Sequence, residues 1–471
     1  MANFINVSSS TNTLQAQLKM ARDALQAQQT ALNTVSHNVS NVNTIGYHRQ
    51  TIIFETRDAL ADINGMNGSG VDVSTIKRAY HSFLTRQERT EMGEFNRWET
   101  ESNLLERVEE IMNELGETGV TTALDDFFNA WSALANDVDT TSSRVNLINR
   151  AQDLSYALHS TYTRMEDVRK EINVDMMEGA DRINDLALRI SDLNEQIYTV
   201  VSRNQNPNDL MDQRDQLVKE LAGYANITIE EEANGSVTVF LGSESLVMRN
   251  EYRTVEWKTD TSGELGKSGG NLVWSDSGSE LQLTSGTLYG NYESRELIGD
   301  ALERMDTFTN TLRDEVNALH LKGMGRDGTT DNLFFRDDTD GALALTLNEA
   351  VLANPEKVAA SRYYATGDSG LANEIYNLQF SDVMNGGTST LSDFYQSIVT
   401  DIGTDAGKAG TYLEASTASL QQAESWQQQY TGVNLDEEMA DMITIQYAYT
   451  AASRVATVVN EMMNLVANGF A

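Results

Sequence analysis

Both ends of the chain carry apolar residues in steps of four and three, a spacing that places them on one narrow stripe of a helix. Near the start, the stripe consists of Leu14, Leu18, Ala21, Leu25, Gln28, Leu32, Val35, Val39 and Val42. Near the end, it consists of Ile445, Ala448, Ala452, Val455, Val459, Met462 and Val466. A single helix with one apolar seam is marginal in water, so each stripe needs a partner. We therefore predict terminal helices that pair with each other or with neighbouring copies, which is typical of an assembly subunit.

The composition favours long helices and restricts the partners. The 471 residues include 2 prolines, where average usage would give roughly twenty-four, and proline interrupts helices. The absence of cysteine excludes disulfides, thiolate nucleophiles and cysteine-bound metals. A formal net charge of −36 argues against nucleic acid and against an anionic membrane surface as partners.

The strand-like segments are inserted between helical segments, and the two terminal helices enclose both. Apolar and polar residues alternate on both sides of Asn234-Gly235, as is typical of the two strands of a β-hairpin. Residues 343–347 are predicted to form a further strand. The predicted fold is mainly α with inserted β: a terminal helical coiled coil, a long-helix rod domain and a small antiparallel β domain at the tip. The predicted divisions are 1–45 with 432–471 for the coiled coil, 46–225 with 288–431 for the rod, which includes an irregular insertion at 323–365, and 226–287 for the β domain.

No motif has the spacing and context that an enzyme or cofactor site requires. Gly323, Gly325 and Gly328 match the GxGxxG spacing, but they follow a predicted helix rather than a strand, so we interpret them as a turn. Residues 263–268 resemble a phosphate-binding loop without its first glycine, and the acidic run at 337–341 lacks the glutamate of a calcium loop. The histidines have no metal-ligand spacing. We expect neither catalytic residues nor a cofactor or metal.

The beginning of the chain lacks the basic and apolar stretch of a cleaved secretory signal. No segment approaches 18 consecutive apolar residues, so we expect no membrane insertion. If the protein leaves the cytosol, we expect a route that needs no cleaved signal.

Residues 32–50, LNTVSHNVSNVNTIGYHRQ, strongly resemble the N-terminal motif of the bacterial flagellar axial proteins, which are the rod, hook and hook-associated proteins. His37 and Ile45 depart from the pattern, since asparagine and proline are frequent at these two places. Asparagine side chains and a glycine can satisfy backbone groups where a helix stops. The residues that match the motif are Asn38, Asn41, Asn43, Thr44, Gly46 and Tyr47.

Three further stretches resemble, within this family, the proteins that form the junction between hook and filament. They are residues 208–217 with 234–239, residues 391–399, and residues 432–440 with the helix that follows. The resemblance is weak over about 240–290 and 325–385. It favours a hook-associated junction protein over the alternative, another axial protein such as the hook protein.

The resemblance implies a structural adaptor that polymerises at the hook tip and joins hook to filament. It implies export through the flagellar type III apparatus, and therefore a secreted protein of the extracellular flagellum that is transiently cytoplasmic. The implied partners are copies of itself, the hook protein, a second junction protein and a cytosolic export chaperone on the C-terminal helix, for which Leu435, Met439, Ile443 and Tyr447 are candidate contacts. The two stripes predict the assembly interface Leu14, Leu18, Leu25, Leu32, Val35, Val39, Val42, Ile445, Val455, Val459, Met462 and Val466.

Overall fold

The computed structural model describes residues 2–62, 65–112, 119–259, 269–338, 340–362 and 367–468, with backbone alone at 2–12, 60–62 and 65–67. The fold is mainly helical with small antiparallel sheets, as predicted. Its helices are α1 (Ala2–Ser40), α2 (Ser82–Met112), α3 (Val120–Asn136), α4 (Thr141–Val201), α5 (Asn208–Tyr224), α6 (Thr287–His320), α7 (Glu349–Ala353), α8 (Gly370–Asn377), α9 (Leu391–Thr431) and α10 (Leu435–Asn468). Its strands are β1 (Gln50–Thr56), β2 (Leu60–Asp62), β3 (Gly65–Asn67), β4 (Val71–Arg78), β5 (Ile227–Glu231), β6 (Val237–Leu241), β7 (Glu244–Met248), β8 (Glu251–Tyr252), β9 (Val255–Thr259), β10 (Gly270–Trp274), β11 (Met324–Gly325) and β12 (Ala359–Ser361).

The chain divides into two compact units, and the three predicted domains remain a prediction. Helices α2, α4 and α9 contribute residues to both units. Both chain ends belong to unit 1. Unit 1 comprises Met1–Met92, Ile183–Thr254 and Ala418–Ala471, and unit 2 comprises Gly93–Arg182 and Val255–Thr417.

In unit 1, the two terminal helices pack against each other. The amide of Asn38, near the end of α1, donates to the carboxylate of Glu438, near the start of α10, at 2.9 Å. The body of α1 precedes that contact and the body of α10 follows it, so helices packed side by side must run antiparallel. The pairing that the two sequence stripes predict is thus found within one chain.

Three antiparallel sheets complete unit 1, and the smallest is the pair β2 and β3. Strands β1 and β4 form an antiparallel ribbon, and α1 packs on it. Strands β5 to β8 form a four-stranded antiparallel sheet in sequence order. Its first turn contains Gly235 with φ of 86°, a conformation that glycine adopts without steric cost, which confirms the predicted Asn234-Gly235 hairpin. The adjacent pair β9 and β10 is a separate two-stranded sheet assigned to unit 2, so residues 226–287 contain two sheets.

Unit 2 is centred on aromatic side chains that are almost wholly buried. Phe127, Trp131 and Phe334 pack with ring centroids 5.3–6.3 Å apart, the separations that aromatic pairs prefer. The ring of His320 lies 6.3 Å from that of Trp131. The side chain of His320 is fully buried.

The glycine motif at 323–328 is a turn, as predicted. It follows α6, and the amide of Gly328 donates to the carbonyl of Gly325 at 3.0 Å, with φ of 79° at Gly328. The predicted strand at 343–347 is wrong. Residues Ala342–Ala344 form a 3₁₀ turn, because the amide of Ala342 donates to Asp306 on α6 at 2.7 Å and that of Gly341 donates to Asn310 at 2.9 Å. These bonds draw the segment towards α6 and leave one isolated bridge at Leu347.

In the described part of the chain, no helix combines the length and apolar character needed to cross a membrane. Residues 263–268, where the loop resembling a phosphate site was considered, lie outside the described residues, as does residue 339 of the acidic run.

Candidate functional site

The motif at 38–47 is the turn that ends α1 and leads into β1. The side chain of Asn41 donates to the carbonyl of His37 at 3.0 Å and accepts from the hydroxyl of Thr44 at 3.1 Å. Gly46 has φ of 78°, and a Cβ there would lie 2.1 Å from the side chain of Gln216. The positive φ favours glycine at this position, and any larger residue would also displace the side chain of Gln216.

Asn38 is the centre of the site, and 1% of its side chain is exposed. Its amide nitrogen donates to the carbonyl of Gln50 and to Glu438, each at 2.9 Å. Its oxygen accepts from the backbone amide of Gln50 at 2.9 Å and from the hydroxyl of Tyr47 at 2.7 Å. Both donors and the acceptor of this buried amide are satisfied, so Asn38 fixes α1, β1 and α10 together.

Arg49 and Glu438 form the second connection between the chain ends. The guanidinium Nε of Arg49 lies 2.6 Å from a carboxylate oxygen of Glu438, whose side chain is 1% exposed. The other two nitrogens of Arg49 lie 3.1 Å from Glu437 and 3.3 Å from Asp441. The backbone amide of Arg49 also donates to the carbonyl of Thr431 at 2.8 Å. Arg49 thus holds the first turns of α10.

The first turns of α5 support the motif from the other side. Asp212 accepts from the backbone amide of His48 at 3.0 Å, and its second oxygen lies 2.6 Å from the ring nitrogen Nδ1 of His48. Arg78 on β4 bridges Asp212 and Asp215, at 2.7 Å from each. The guanidinium of Arg78 and the carboxylates of Asp212 and Asp215 are nearly buried and are paired with each other. Buried charges are tolerated when they are paired in this way.

The same stretch of α5 reaches two further elements. The side chain of Gln50 donates to Asp209 at 2.7 Å, and the amide of Asn208 donates to the carbonyl of Ile76 at 3.1 Å. Arg214 donates to the carbonyl of Gly235 at 2.6 Å. The residues of 208–217 that carry the family resemblance therefore hold the motif turn, the β1–β4 ribbon and the β5–β6 turn in place.

Burial raises the pKa of the Tyr47 phenol, and the neighbouring carboxylates of Asp209, Asp212 and Glu438 raise it further. The hydroxyl therefore stays protonated and donates to Asn38, while its oxygen lies 3.0 Å from the ring nitrogen Nδ1 of His37. This is a structural hydrogen-bond chain. Across the residues that the structure describes, no group of three His, Asp or Glu side chains is placed to hold a metal ion.

Two clefts flank the motif turn, and their volumes are about 670 and 560 Å³. Residues 44–47 contribute to both clefts. Between them the side chain of Ile45 is 89% exposed, at one of the two places where the motif departs from its pattern. The matching residues Asn43 and Thr44 are also exposed, whereas Asn38 is buried.

The structure separates the predicted stripes into residues that face a partner and residues that do not. On α1, Val35 is buried and the other described members are half-buried or buried. On α10, Val459 is buried, but Val455 and Met462 are 53% and 47% exposed. The half-buried residues beside them are Ala456 and Met463. The other members of the predicted stripe, Ile445, Ala448, Ala452 and Val466, are half-buried, so the inward side of α10 departs from the prediction at Val455 and Met462.

A second apolar face of α10 is uncovered in the single chain. We call it the outer face. The chaperone candidates lie at one end of it, with exposed fractions of 46% to 75%. Its residues are Leu435, Met439, Ile443, Tyr447, Val455, Val458, Met462 and Leu465. Exposed apolar surface of this extent is typical of a binding surface.

Sequence reasoning did not identify the charged residues of the site: Arg49, Glu438, Asp212 and Arg78. One signal for Glu438 was available. It precedes Ile445 by seven residues, so it continues the C-terminal stripe with a charged residue where an apolar residue is expected. A charge inside an apolar stripe indicates a buried partner of opposite sign.

Comparison with protein families gives three matches. A model described as the flagellar hook-associated protein FlgK helical domain matches residues 105–335. A model of the flagella basal body rod protein matches residues 18–48, which include most of the motif. A model of the C-terminal region of the flagellar basal body rod FlgEFG protein matches residues 427–468, which include all of α10.

Relatives and one solved structure agree with these matches. Flagellar hook-associated protein 1 of Bacillus subtilis is 26% identical over 96% of this chain and 97% of the relative. Proteins of the same name from Salmonella typhimurium and Escherichia coli are 25% and 24% identical, each over 95% of this chain and 98% of the relative. The fold is similar to that of the flagellar hook junction protein FlgK from Burkholderia pseudomallei, with a TM-score of 0.63, 17% identity, and 73% of this chain and 99% of that chain covered.

Proposed function

The chain belongs to the flagellar hook-associated protein 1 family, and on this premise we propose that it is a structural adaptor which polymerises at the tip of the flagellar hook and joins the hook to the filament. The observation that carries the proposal is the outer face of α10. One side of this helix packs on α1 within the chain, and the opposite side presents eight large apolar side chains to solvent.

An uncovered apolar face of this kind needs a partner, and the antiparallel pair of chain ends presents it to solvent. The clasp of Arg49 and Glu438 and the buried amide of Asn38 fix the pair where α10 begins. In the assembled flagellum we propose that copies of the chain cover one another's outer faces. The hook protein on one side and a second junction protein on the other are the proposed neighbours.

Before assembly the same face needs protection in the cytosol. We infer that a cytosolic export chaperone covers the N-terminal half of the outer face, where Leu435, Met439, Ile443 and Tyr447 follow one another at intervals of four residues. The chain then leaves through the flagellar type III apparatus and takes its place in the extracellular flagellum. Exchange of Ile443 for aspartate should weaken chaperone capture in a co-purification assay, whereas Gln446→Asp, at an exposed polar position, should not. Equal capture of both variants would contradict this assignment.

The adaptor role is tested by replacing one residue of the outer face. Met462→Asp places a charge on the exposed apolar surface without changing the side of α10 that packs on α1. We expect cells with this variant to carry hooks without filaments and to release filament protein into the medium, as seen by electron microscopy and immunoblotting. Asn460→Asp is the matched control, because Asn460 is exposed and polar, and its cells should form normal filaments. Normal filaments on both variants would contradict the proposal.

The alternative function is that of the hook protein itself. The rod-protein matches at the two ends are compatible with either function, whereas the helical-domain match at 105–335 favours the junction. Deletion of the gene distinguishes them: cells that lack a junction protein retain hooks, and cells that lack the hook protein have none.

A further inference from the structure

We propose that the free protein forms a two-fold symmetric dimer, in which the outer face of α10 pairs antiparallel with the outer face of α10 in a second copy. Ile443 and Tyr447 of both copies would form the centre of the contact. At each end, Asp436 of one copy would face Arg454 of the other. The proposal concerns the free protein in solution and does not depend on the proposed function.

The four residues of this contact lie on one side of α10. Asp436 and Arg454 are eighteen residues apart, which is five complete turns, so they point in the same direction about 27 Å apart along the helix. Between them, Ile443 and Tyr447 point to within about 20° of that direction, and they are 50% and 75% exposed. Val459, which is buried, points to the opposite side.

The order of these residues is self-complementary. A two-fold contact requires that residue i meets residue j of the second copy while j meets i. Ile443 and Tyr447 lie two residues on either side of position 445, and Asp436 and Arg454 lie nine residues on either side of it. When position 445 of two antiparallel helices coincides, Ile443 is therefore level with Tyr447 of the second copy. In the same alignment Asp436 is level with Arg454 of the second copy at both ends.

The two charges favour this arrangement over a parallel one. Asp436 and Arg454 are exposed, and neither forms an ion pair among the residues that the structure describes. They are too far apart along α10 to pair with each other within one chain. A parallel pair aligned at the same position would bring Arg454 against Arg454 and Asp436 against Asp436, which repel. Charges at an interface determine the orientation of the partners more than the affinity.

The affinity comes from the exposed apolar side chains, and we expect it to be modest. Two helices in contact over about five turns form less than a standard interface, so monomer and dimer should exchange. The net charge of −36 on each copy opposes association, but at physiological ionic strength this repulsion is screened beyond about 8 Å. The reciprocal ion pairs lie inside that distance and are screened less.

The test is sedimentation velocity of the full-length chain at physiological ionic strength. The unaltered chain should show a weight-average sedimentation coefficient that rises with concentration towards that of a dimer. Asp436→Arg alone and Arg454→Glu alone should each remain monomeric, because each substitution places like charges opposite each other at both ends. An equimolar mixture of the two variants should regain the rise, since each chain then offers the other a pair of opposite charges at both ends. The chain that carries both substitutions should also form a dimer.

Glu461→Arg is the matched control, because it changes the charge as Asp436→Arg does at another exposed position of α10. It lies seven residues beyond Arg454, outside the facing stretch, and should form the dimer as the unaltered chain does. Circular dichroism checks that every variant keeps its helices. An unaltered chain that stays monomeric at all concentrations would overturn the proposal, as would a dimer that persists in either single variant. A mixture that stays monomeric would overturn the antiparallel arrangement.

The outcome is independent of filament formation, because the purified chain is measured. Normal filaments on Met462→Asp would contradict the adaptor role and leave the dimer untouched. A monomeric unaltered chain, together with filaments that Met462→Asp abolishes, would contradict the dimer and leave the adaptor role intact.

Discussion

Asn38 connects three parts of unit 1 because every polar atom of its side chain is used. The amide donates to β1 and α10, and the oxygen accepts from β1 and from Tyr47. Neither a carboxylate nor an apolar side chain can reproduce this set, since the two donors and the acceptor of an amide are all needed. This explains in physical terms why asparagine occupies this position of the motif.

Asn38→Asp should therefore destabilise the site strongly. The new carboxylate would face the carboxylate of Glu438 and would leave the carbonyl of Gln50 without its donor. Breaking a buried charged contact in this way costs roughly 3–5 kcal/mol, and we expect a loss of that order in the free energy of unfolding, measured by urea denaturation. Asn43→Asp is the control, because Asn43 belongs to the same motif but is exposed. Equal stability of the two variants would show that the hydrogen bonds of Asn38 do not hold the site.

His320 makes the stability of unit 2 dependent on pH. Its Nδ1 lies 2.6 Å from the carbonyl of Asn332, and its Nε2 accepts from the amide of Ala359 at 2.9 Å, so the ring is neutral. Burial lowers the pKa of His320 to about 4, although the bond to the Asn332 carbonyl opposes the shift. The unfolded chain, with a pKa of about 6.5, takes up the proton first as the pH falls, so stability is lost between about pH 6.5 and pH 4.

From pH 7.5 to pH 5 this histidine should remove about 2 kcal/mol of stability. His320→Gln should abolish that part of the pH dependence, whatever its effect at pH 7.5. His81→Gln should retain it, because His81 is exposed. Urea denaturation followed by tryptophan fluorescence at both pH values measures the difference, and an unchanged pH dependence in His320→Gln would contradict the assignment.

At the scale of elements, the pairing of α1 and α10 depends on which side of each helix is covered. Val459 is 5% exposed and Val458, its neighbour in sequence, is 47% exposed. Adjacent residues point about 100° apart on a helix, so these two valines report on different sides of α10. They form a matched pair for testing whether the pairing seen in the structure holds α10 in place.

Val459→Asp should release α10 from α1, because the substitution removes a buried apolar group and places an uncompensated charge in the seam, at a cost of several kcal/mol. Hydrogen exchange should become fast over residues 441–466 and stay slow in α3. Val458→Asp should leave the exchange of α10 unchanged. Protection of α10 in Val459→Asp would mean that the helix does not depend on the seam with α1.

The periodicity of the sequence predicted both terminal helices and the hairpin at Asn234-Gly235. It misplaced two residues of the α10 stripe. The pattern selected Val455 and Met462, but the structure turns Ala456 and Met463 inward. α10 is apolar on two sides, one for α1 and one for the outer face, and alanine contrasts too weakly with its neighbours for a hydrophobic pattern to separate the sides.

The polar site was less accessible to sequence reasoning than the helices. Asn38 and Glu438 are 400 residues apart in the chain, and nothing in either segment by itself identifies the other as its partner. The same is true of His48 and Asp212, which are 164 residues apart. The resemblance identified the motif residues, but tertiary packing determines which of them are buried and which charges they meet.

At the scale of the whole molecule, both ends of the chain contribute to the same unit, unit 1. The C-terminal helix completes the site that the N-terminal motif begins, because Glu438 is a partner of both Asn38 and Arg49. The excess of acidic residues, 70 against 34 basic residues, leaves the copies strongly like-charged. Attraction between copies must therefore come from apolar surface such as the outer face of α10, because uniform negative charge opposes association.

The most direct test of this account is cryo-electron microscopy of the junction between hook and filament in isolated flagella. The account predicts a ring of copies of this chain at the hook tip, with α1 and α10 of each copy paired and the outer face of α10 buried against neighbouring copies. Density for the chain elsewhere, or a junction in which Met462 and Val455 of every copy remain exposed to solvent, would contradict it.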